Sequence, residues 1–138
     1  MINIRDQKIA LLVYLVFPIL CLSQSNHLYY HKNPSPAEPG QPIKISQILF
    51  NEEFVDYGTL YFRDQGELSY QETMMDYENG YWVGIIPGNR VSLNDIEYVT
   101  VLYKQDGGKI SLPLSDNPFE NPLNIQILSI KKNQNQQV

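Results

Sequence analysis

Cysteine is almost absent from this chain: Cys21 is the only one among 138 residues, and it lies in an apolar N-terminal run. A lone cysteine cannot form an intramolecular disulfide, and a thiolate zinc site needs several such ligands. Histidine is also scarce, since His27 and His31 are the only two. On an extended strand these two residues would lie about 13 Å apart, too far for both rings to bind one metal ion. We therefore expect no disulfide, no metal site, and two histidines exposed on an edge strand.

Basic residues are few as well. Ten Lys and Arg face fifteen Asp and Glu, giving a formal net charge of −5, and the basic residues form no cluster. Nucleic acid is thereby excluded as a partner, because binding it depends on neutralising phosphates. The chain also has no Gly-x-Ser-x-Gly, phosphate loop or dinucleotide fingerprint, and its acidic residues lack the dense spacing of a calcium loop. We expect a protein that is not an enzyme, with no catalytic residue and no cofactor.

Only one long hydrophobic run occurs, from Ile9 to Leu22. Arg5 and Lys8 precede it, and the small residues Ser23 and Ser25 follow it, as in a secretory signal peptide. As a helix the run would be about 21 Å long, shorter than the roughly 30 Å hydrocarbon core of a bilayer. The sequence therefore predicts a signal-peptide helix over residues 1–25, cleaved after Ser23 or Ser25.

Two alternatives to cleavage remain open. The run could stay as an N-terminal membrane anchor, or Cys21 could be acylated as in a lipoprotein, although Leu20 stands where a small residue is expected. In each case the expected location is outside the cytoplasm, in the periplasm, at the cell surface or in the medium, and an uncleaved segment would make the protein membrane-anchored. Cleavage would remove Arg5, Asp6 and Lys8 and bring the net charge to −6.

The rest of the chain has the composition of an all-β protein. Aromatic residues make up 12%, and nine prolines and eight glycines divide the chain into short segments. Alternation of apolar and polar residues predicts strands over residues 27–31, 43–50, 57–63, 68–75, 80–88, 96–105, 109–114 and 123–130. Turns are predicted at 64–67, 76–80 and 106–108, a stiff proline-rich connector at 33–42, and a disordered tail at 131–138.

Three details of these strands carry structural expectations. In 80–88, Trp82 shares one face with Gly84 and Ile86, which we expect to be the core face. The strand 96–105 is apolar on both faces, as is typical of a central strand. In 43–50 the alternation changes phase at Gln47 and Ile48, which predicts a bulge or a strand end there.

Five segments together resemble the immunoglobulin-like or fibronectin type III-like modules of bacterial secreted and cell-surface proteins. They are Gly40–Ile45, Gly58–Arg63, Gly80–Pro87, Ile96–Tyr98 and Asp106–Gly108, and the resemblance covers about residues 38–114. It implies an antiparallel β-sandwich of about seven strands, with residues 26–130 as one domain.

The resemblance also gives roles to single residues. Tyr98 would match the tyrosine whose hydroxyl bonds back to the backbone at a sandwich corner, and with Trp82 it is expected to be structural. Unlike antibody domains, the chain lacks both of the paired cysteines.

The implied function is that of a structural or interaction module, either a spacer or a protein-docking domain at the cell envelope. The expected partner is another envelope or secreted protein, or further modules of a longer chain. The alternative is a carbohydrate-binding module, in which aromatic rings form a platform for a glycan. Candidate platform residues are Tyr57, Tyr61, Tyr70, Tyr77, Tyr81, Trp82 and Tyr103, and among them Tyr77, Tyr81 and Trp82 are the candidate binding residues.

Overall fold

A computed structural model describes residues 29–50 and 54–128 of the chain. The predicted signal peptide, His27 and the predicted tail at 131–138 lie outside the described residues. Within these two ranges, no helix is long and apolar enough to span a membrane.

Strands and turns make up the described part of the chain, and no α-helix occurs there. The strands are β1 (Tyr29–His31), β2 (Ile43–Leu49), β3 (Val55–Asp64), β4 (Gln71–Glu78), β5 (Tyr81–Ile86), β6 (Ile96–Lys104), β7 (Lys109–Leu112) and β8 (Leu123–Ile125). One turn of 3₁₀ helix, Gly88–Arg90, follows β5. The prediction of an all-β protein is confirmed.

All eight strands belong to one antiparallel sheet in the order β1-β2-β5-β4-β3-β6-β7, and β8 also pairs with β6. Strands β7 and β8 both pair with β6, one after the other along its length. Strand β7 pairs with residues 100–103 of β6, and β8 pairs with residues 96–98. Strand β4 joins the two halves of the sheet: residues 71–75 pair with β3, whereas residues 76–78 pair with β5.

The sheet curls so that its two halves face each other across one core. Two side-chain hydrogen bonds join strands that are not neighbours in the sheet: one links Tyr98 and His31, and in the other the Thr100 hydroxyl donates to Gln47. This arrangement fits a β-sandwich in general. The core side chains are Ile43, Ile45, Leu60, Phe62, Met75, Ile86, Val91, Ile96, Tyr98, Leu102, Ile110, Ile125 and Ile127.

Strands β5 and β6 match their predicted positions and faces. Gly84 and Ile86 are buried in β5, and Trp82 is half-buried against the core. Gly84 is tightly enclosed, since a Cβ there would lie 2.8 Å from a methyl carbon of Leu60. Strand β6 is buried on both faces over residues 98–102, as expected for a central strand. The hairpin predicted at 106–108 is also confirmed, with Gly107 at positive φ.

Strand β2 corrects one prediction. It runs without a bulge through Gln47 and pairs with β5 in regular register, so Gln47 points into the core after Ile43 and Ile45. The side chain is only 4% exposed, and its carbonyl oxygen accepts a hydrogen bond of 2.6 Å from the Thr100 hydroxyl. The predicted change of phase was wrong because a polar residue can occupy a core position when a partner satisfies it.

Two strands differ most from their predicted ranges, β4 and β8. Strand β4 begins and ends three residues later than expected, and the turn after it contains only Asn79 and Gly80, both at positive φ. This is the geometry that an Asn-Gly pair favours in a two-residue hairpin. The last strand ends at Ile125, and Ile127 then forms a single parallel bridge with Ala37. Residues 129–130 of that prediction lie outside the described residues.

Candidate binding site

Aromatic side chains gather on the outer face of β3 and β6. Tyr57 and Tyr103 are directly paired across these strands, and their rings stack at 4.5 Å with 15° between their planes. The hydroxyl of Tyr61 lies 3.0 Å from that of Tyr103, within hydrogen-bond distance. This hydrogen bond, together with burial, raises the pKa of the Tyr103 phenol, so Tyr103 presents a neutral hydroxyl at neutral pH.

The loop between β7 and β8 adds a further ring to this face. Phe119 meets Tyr61 edge-on at 5.3 Å between ring centres and Tyr70 at 5.1 Å. Val99 and Val101 point outward from β6, yet both are buried, because the rings and this loop lie on the same face. The covering loop explains why β6 is apolar on both faces.

A groove of about 450 Å³ lies between the loop and the tyrosines. The rings of Tyr61, Tyr103 and Phe119 line it together with Val101. Its polar and charged lining comes from Lys109, Ser111, Ser115, Asp116 and Asn117. The groove therefore offers apolar contact area beside hydrogen-bond donors and acceptors, together with one positive charge on Lys109 and one negative charge on Asp116.

Cationic side chains hold the edges of this aromatic layer in place. The Arg63 guanidinium lies 4.2 Å from the centre of the Tyr70 ring, and its Nε donates a 2.7 Å hydrogen bond to Glu97. The Lys109 ammonium lies 5.4 Å from the Tyr103 ring centre. Since Tyr103 pairs with Tyr57 on one side and with Lys109 on the other, neighbours flank its ring on both sides.

Of the three predicted candidate binding residues, the structure brings Tyr77 and Trp82 together but leaves Tyr81 on the other face. Tyr77 is 64% exposed, and its ring centre lies 5.2 Å from that of Trp82, which faces the core. Tyr81 lies on the opposite, outer face of β5, beside Lys44 and Glu78. Of the seven platform candidates, the aromatic face of β3 and β6 collects four, namely Tyr57, Tyr61, Tyr70 and Tyr103.

Phe119 is the site residue that sequence reasoning missed. It lies in a segment rich in Pro and Asn that gives no periodic signal, and its single aromatic side chain was the only indication of a role. Its position on the aromatic face depends on where β7 and β8 pair with β6, because the loop between them carries Phe119. Such long-range pairing cannot be deduced from the local sequence.

His31 and Tyr98 form a second polar group, inside the curled sheet. Tyr98 is fully buried, and its hydroxyl lies 2.8 Å from His31 Nε2, so the expected bond from Tyr98 to the backbone was wrong. His31 Nδ1 lies 3.0 Å from the Ser46 carbonyl oxygen. Because a carbonyl only accepts, Nδ1 carries the proton and Nε2 accepts from the Tyr98 hydroxyl.

The expectation that His31 would be exposed was also wrong, for the same reason: its ring turns inward from β1 to meet Tyr98. Burial opposes the charged form and lowers the pKa of His31, although the hydrogen bond to Ser46 acts in the opposite direction. Burial likewise raises the pKa of Tyr98 far above its usual range. The pair is therefore neutral at neutral pH.

Within residues 29–50 and 54–128, no three His, Cys, Asp or Glu side chains lie close enough together to hold a metal ion. No protein-family model matches the chain, and no similar sequence is found among curated proteins.

The lowered pKa of His31 predicts a pH dependence of stability. The unfolded chain takes up a proton near pH 6.5, the ordinary value for histidine, whereas the folded protein resists doing so. The contribution of neutral His31 to the free energy of unfolding is thus complete above about pH 6.5. It is lost as the pH falls from there toward the lower pKa of His31 in the folded protein. Urea unfolding at a series of pH values should show this loss in the wild type and a shallower dependence in His31→Gln.

His27 is present in both proteins and serves as an internal control, since its titration cannot contribute to the difference between them. Equal pH dependences for the wild type and His31→Gln would contradict the assignment of the effect to His31.

Proposed function

We propose that this chain is an exported, non-catalytic interaction module with an immunoglobulin-like or fibronectin type III-like sandwich fold. The all-β curled sheet supports the fold, and the apolar run at 9–22 with its flanking residues supports export. The expected setting is the cell envelope or the medium, and the expected partner is another protein there, or a neighbouring module of a longer chain.

The groove beside Phe119 is the observation that carries the docking function. Tyrosine and other aromatic side chains provide much of the binding energy in protein interfaces, because they combine a large apolar area with few rotatable bonds. Tyr61 and Tyr103 are already fixed by their mutual hydrogen bond, so little ordering is needed when a partner binds. A polypeptide segment in the groove would place an apolar side chain against Val101 and Phe119. The Asn117 amide nitrogen already donates to Glu120, so the backbone of the segment would bond the Asn117 amide oxygen and the remaining hydrogen-bonding capacity of the tyrosine hydroxyls.

A specific observation favours carbohydrate as a second candidate ligand. Asp116 and Asn117 line the same groove as Tyr61 and Phe119, and carboxylate and amide groups beside aromatic rings suit the hydroxyls and apolar faces of a sugar. The flanking of Tyr103 by Tyr57 and Lys109 works against a sugar, because it leaves no open face of that ring for stacking. Protein docking is therefore the function we favour.

Removal of the Phe119 ring tests the groove directly. In the source cell, a photoreactive amino acid at Ser115 should give a discrete crosslinked product, whereas the same group at Leu68, on the loop after β3, should not. Phe119→Ala should reduce that product at least about tenfold, because it removes one wall of the groove. Tyr81→Ala, on the outer face of β5, is the matched control and should leave it unchanged.

The same variants distinguish the two ligand classes. A crosslink to a polypeptide supports the docking function. Retention of the wild type on immobilised glycans, lost in Phe119→Ala, would instead assign the groove to carbohydrate. No groove-dependent crosslink and no retention on any glycan would contradict both.

Export predicts a definite mature N-terminus. Intact-mass measurement of the protein recovered outside the cytoplasm should show a chain that starts at Gln24 or Asn26, after cleavage behind Ser23 or Ser25. A full-length protein in the cytoplasm would contradict the proposal. A lipid adduct on Cys21 or a full-length protein in the membrane would support export with an anchor in place of cleavage.

A further inference from the structure

The outer face of β5 carries a stripe of apolar side chains. Tyr81, Val83 and Ile85 alternate outward along this strand, and we refer to them as the β5 stripe. Within residues 29–50 and 54–128, Tyr81 remains 40% exposed and Ile85 52% exposed, whereas Val83 between them is only 6% exposed. The outer face of β6, by contrast, is covered by the loop that bears Phe119. Strand β5 is thus apolar on both faces, but its outer face, unlike that of β6, has no loop over it among the described residues and stays partly exposed at Tyr81 and Ile85.

Charges of opposite sign lie on the two sides of the β5 stripe. Lys44, on β2, pairs directly with Ile85, whereas Asp76 and Glu78 lie on the same face of β4, across the stripe. Among the described residues, none of these three charged side chains takes part in a salt bridge. The face is therefore basic along one edge, apolar in the middle and acidic along the other edge.

We propose that the β5 stripe is the interface of a symmetric dimer of this chain. In a two-fold dimer the same surface is used on both copies, so a face that is complementary to itself after rotation is required. A two-fold axis parallel to the strands places β2 of one copy over β4 of the other. Such an axis keeps each residue's position along the strand, so Lys44 of each copy lies over the acidic edge of the partner subunit, and Asp76, about 7 Å along the strand, is the nearer carboxylate.

The charges also select against the other simple arrangement. A two-fold axis across the strands would place β4 over β4, with the carboxylates of one copy against those of the other, and like charges at an interface are unfavourable.

Three strands about 4.8 Å apart form a patch smaller than the roughly 800 Å² per partner of a stable interface. The dimer should therefore be weak and dissociate in the micromolar range.

Sedimentation equilibrium of the protein expressed from its full-length gene tests the dimer. Between about 1 μM and about 500 μM, the wild-type mass should rise from that of a monomer toward that of a dimer. Ile85→Lys should weaken association at least about tenfold, because it places a charge at the more exposed end of the stripe, directly beside Lys44. The matched control is Leu68→Lys, which makes the same kind of change at a 95% exposed residue on the loop after β3 and should not alter the mass.

A charge exchange tests the orientation of the two copies. Lys44→Glu and Asp76→Lys should each weaken association, and the double variant should restore it, because the exchanged charges again face each other across the dimer. A wild type that stays monomeric throughout, an Ile85→Lys variant that associates as the wild type does, or a double variant weaker than either single one would overturn the proposal. Phe119→Ala should leave the dimer unchanged, which separates this interface from the groove.

Discussion

The hydrogen bond between the Thr100 hydroxyl and the Gln47 side-chain carbonyl is the contact on which the arrangement of the two half-sheets depends. It joins β6 to β2 across the core, where neither group can reach water. An unpaired polar group in such a place costs about 1–3 kcal/mol, so the two strands are held in the one register that pairs them. His31 pairs with Gln47 across β1 and β2, and Tyr98 lies two residues before Thr100, so the second cross-core bond lies directly beside the first.

This fixed interior leaves the two outer faces free to differ. One face carries stacked tyrosines and the loop with Phe119, which together enclose a groove. The other carries the β5 stripe between a lysine and two carboxylates. The binding functions that we propose therefore rest on side chains that the core does not need. Their replacement can be studied without removing a buried group, apart from Val83 and the groove residues that also cover β6.

Local sequence patterns were sufficient for the strands whose side chains alternate and whose turns carry glycine. Strands β5 and β6 and the turn after β6 were predicted because apolar periodicity and an Asp-Gly-Gly run report local geometry. Gln47, His31 and Phe119 could not be placed in the same way. Each owes its position to a partner more than 40 residues away in sequence, and neither periodicity nor composition identifies such a partner.

A double-mutant cycle on the free energy of unfolding tests the central claim most directly. Thr100→Val and Gln47→Leu each remove one partner, and each should cost about 1–3 kcal/mol because the other group is left buried and unpaired. The double variant should be clearly more stable than the sum of the two losses implies, since both polar groups are then gone. Additive losses in the double variant would contradict a hydrogen bond between these side chains as the contact that holds the two half-sheets together.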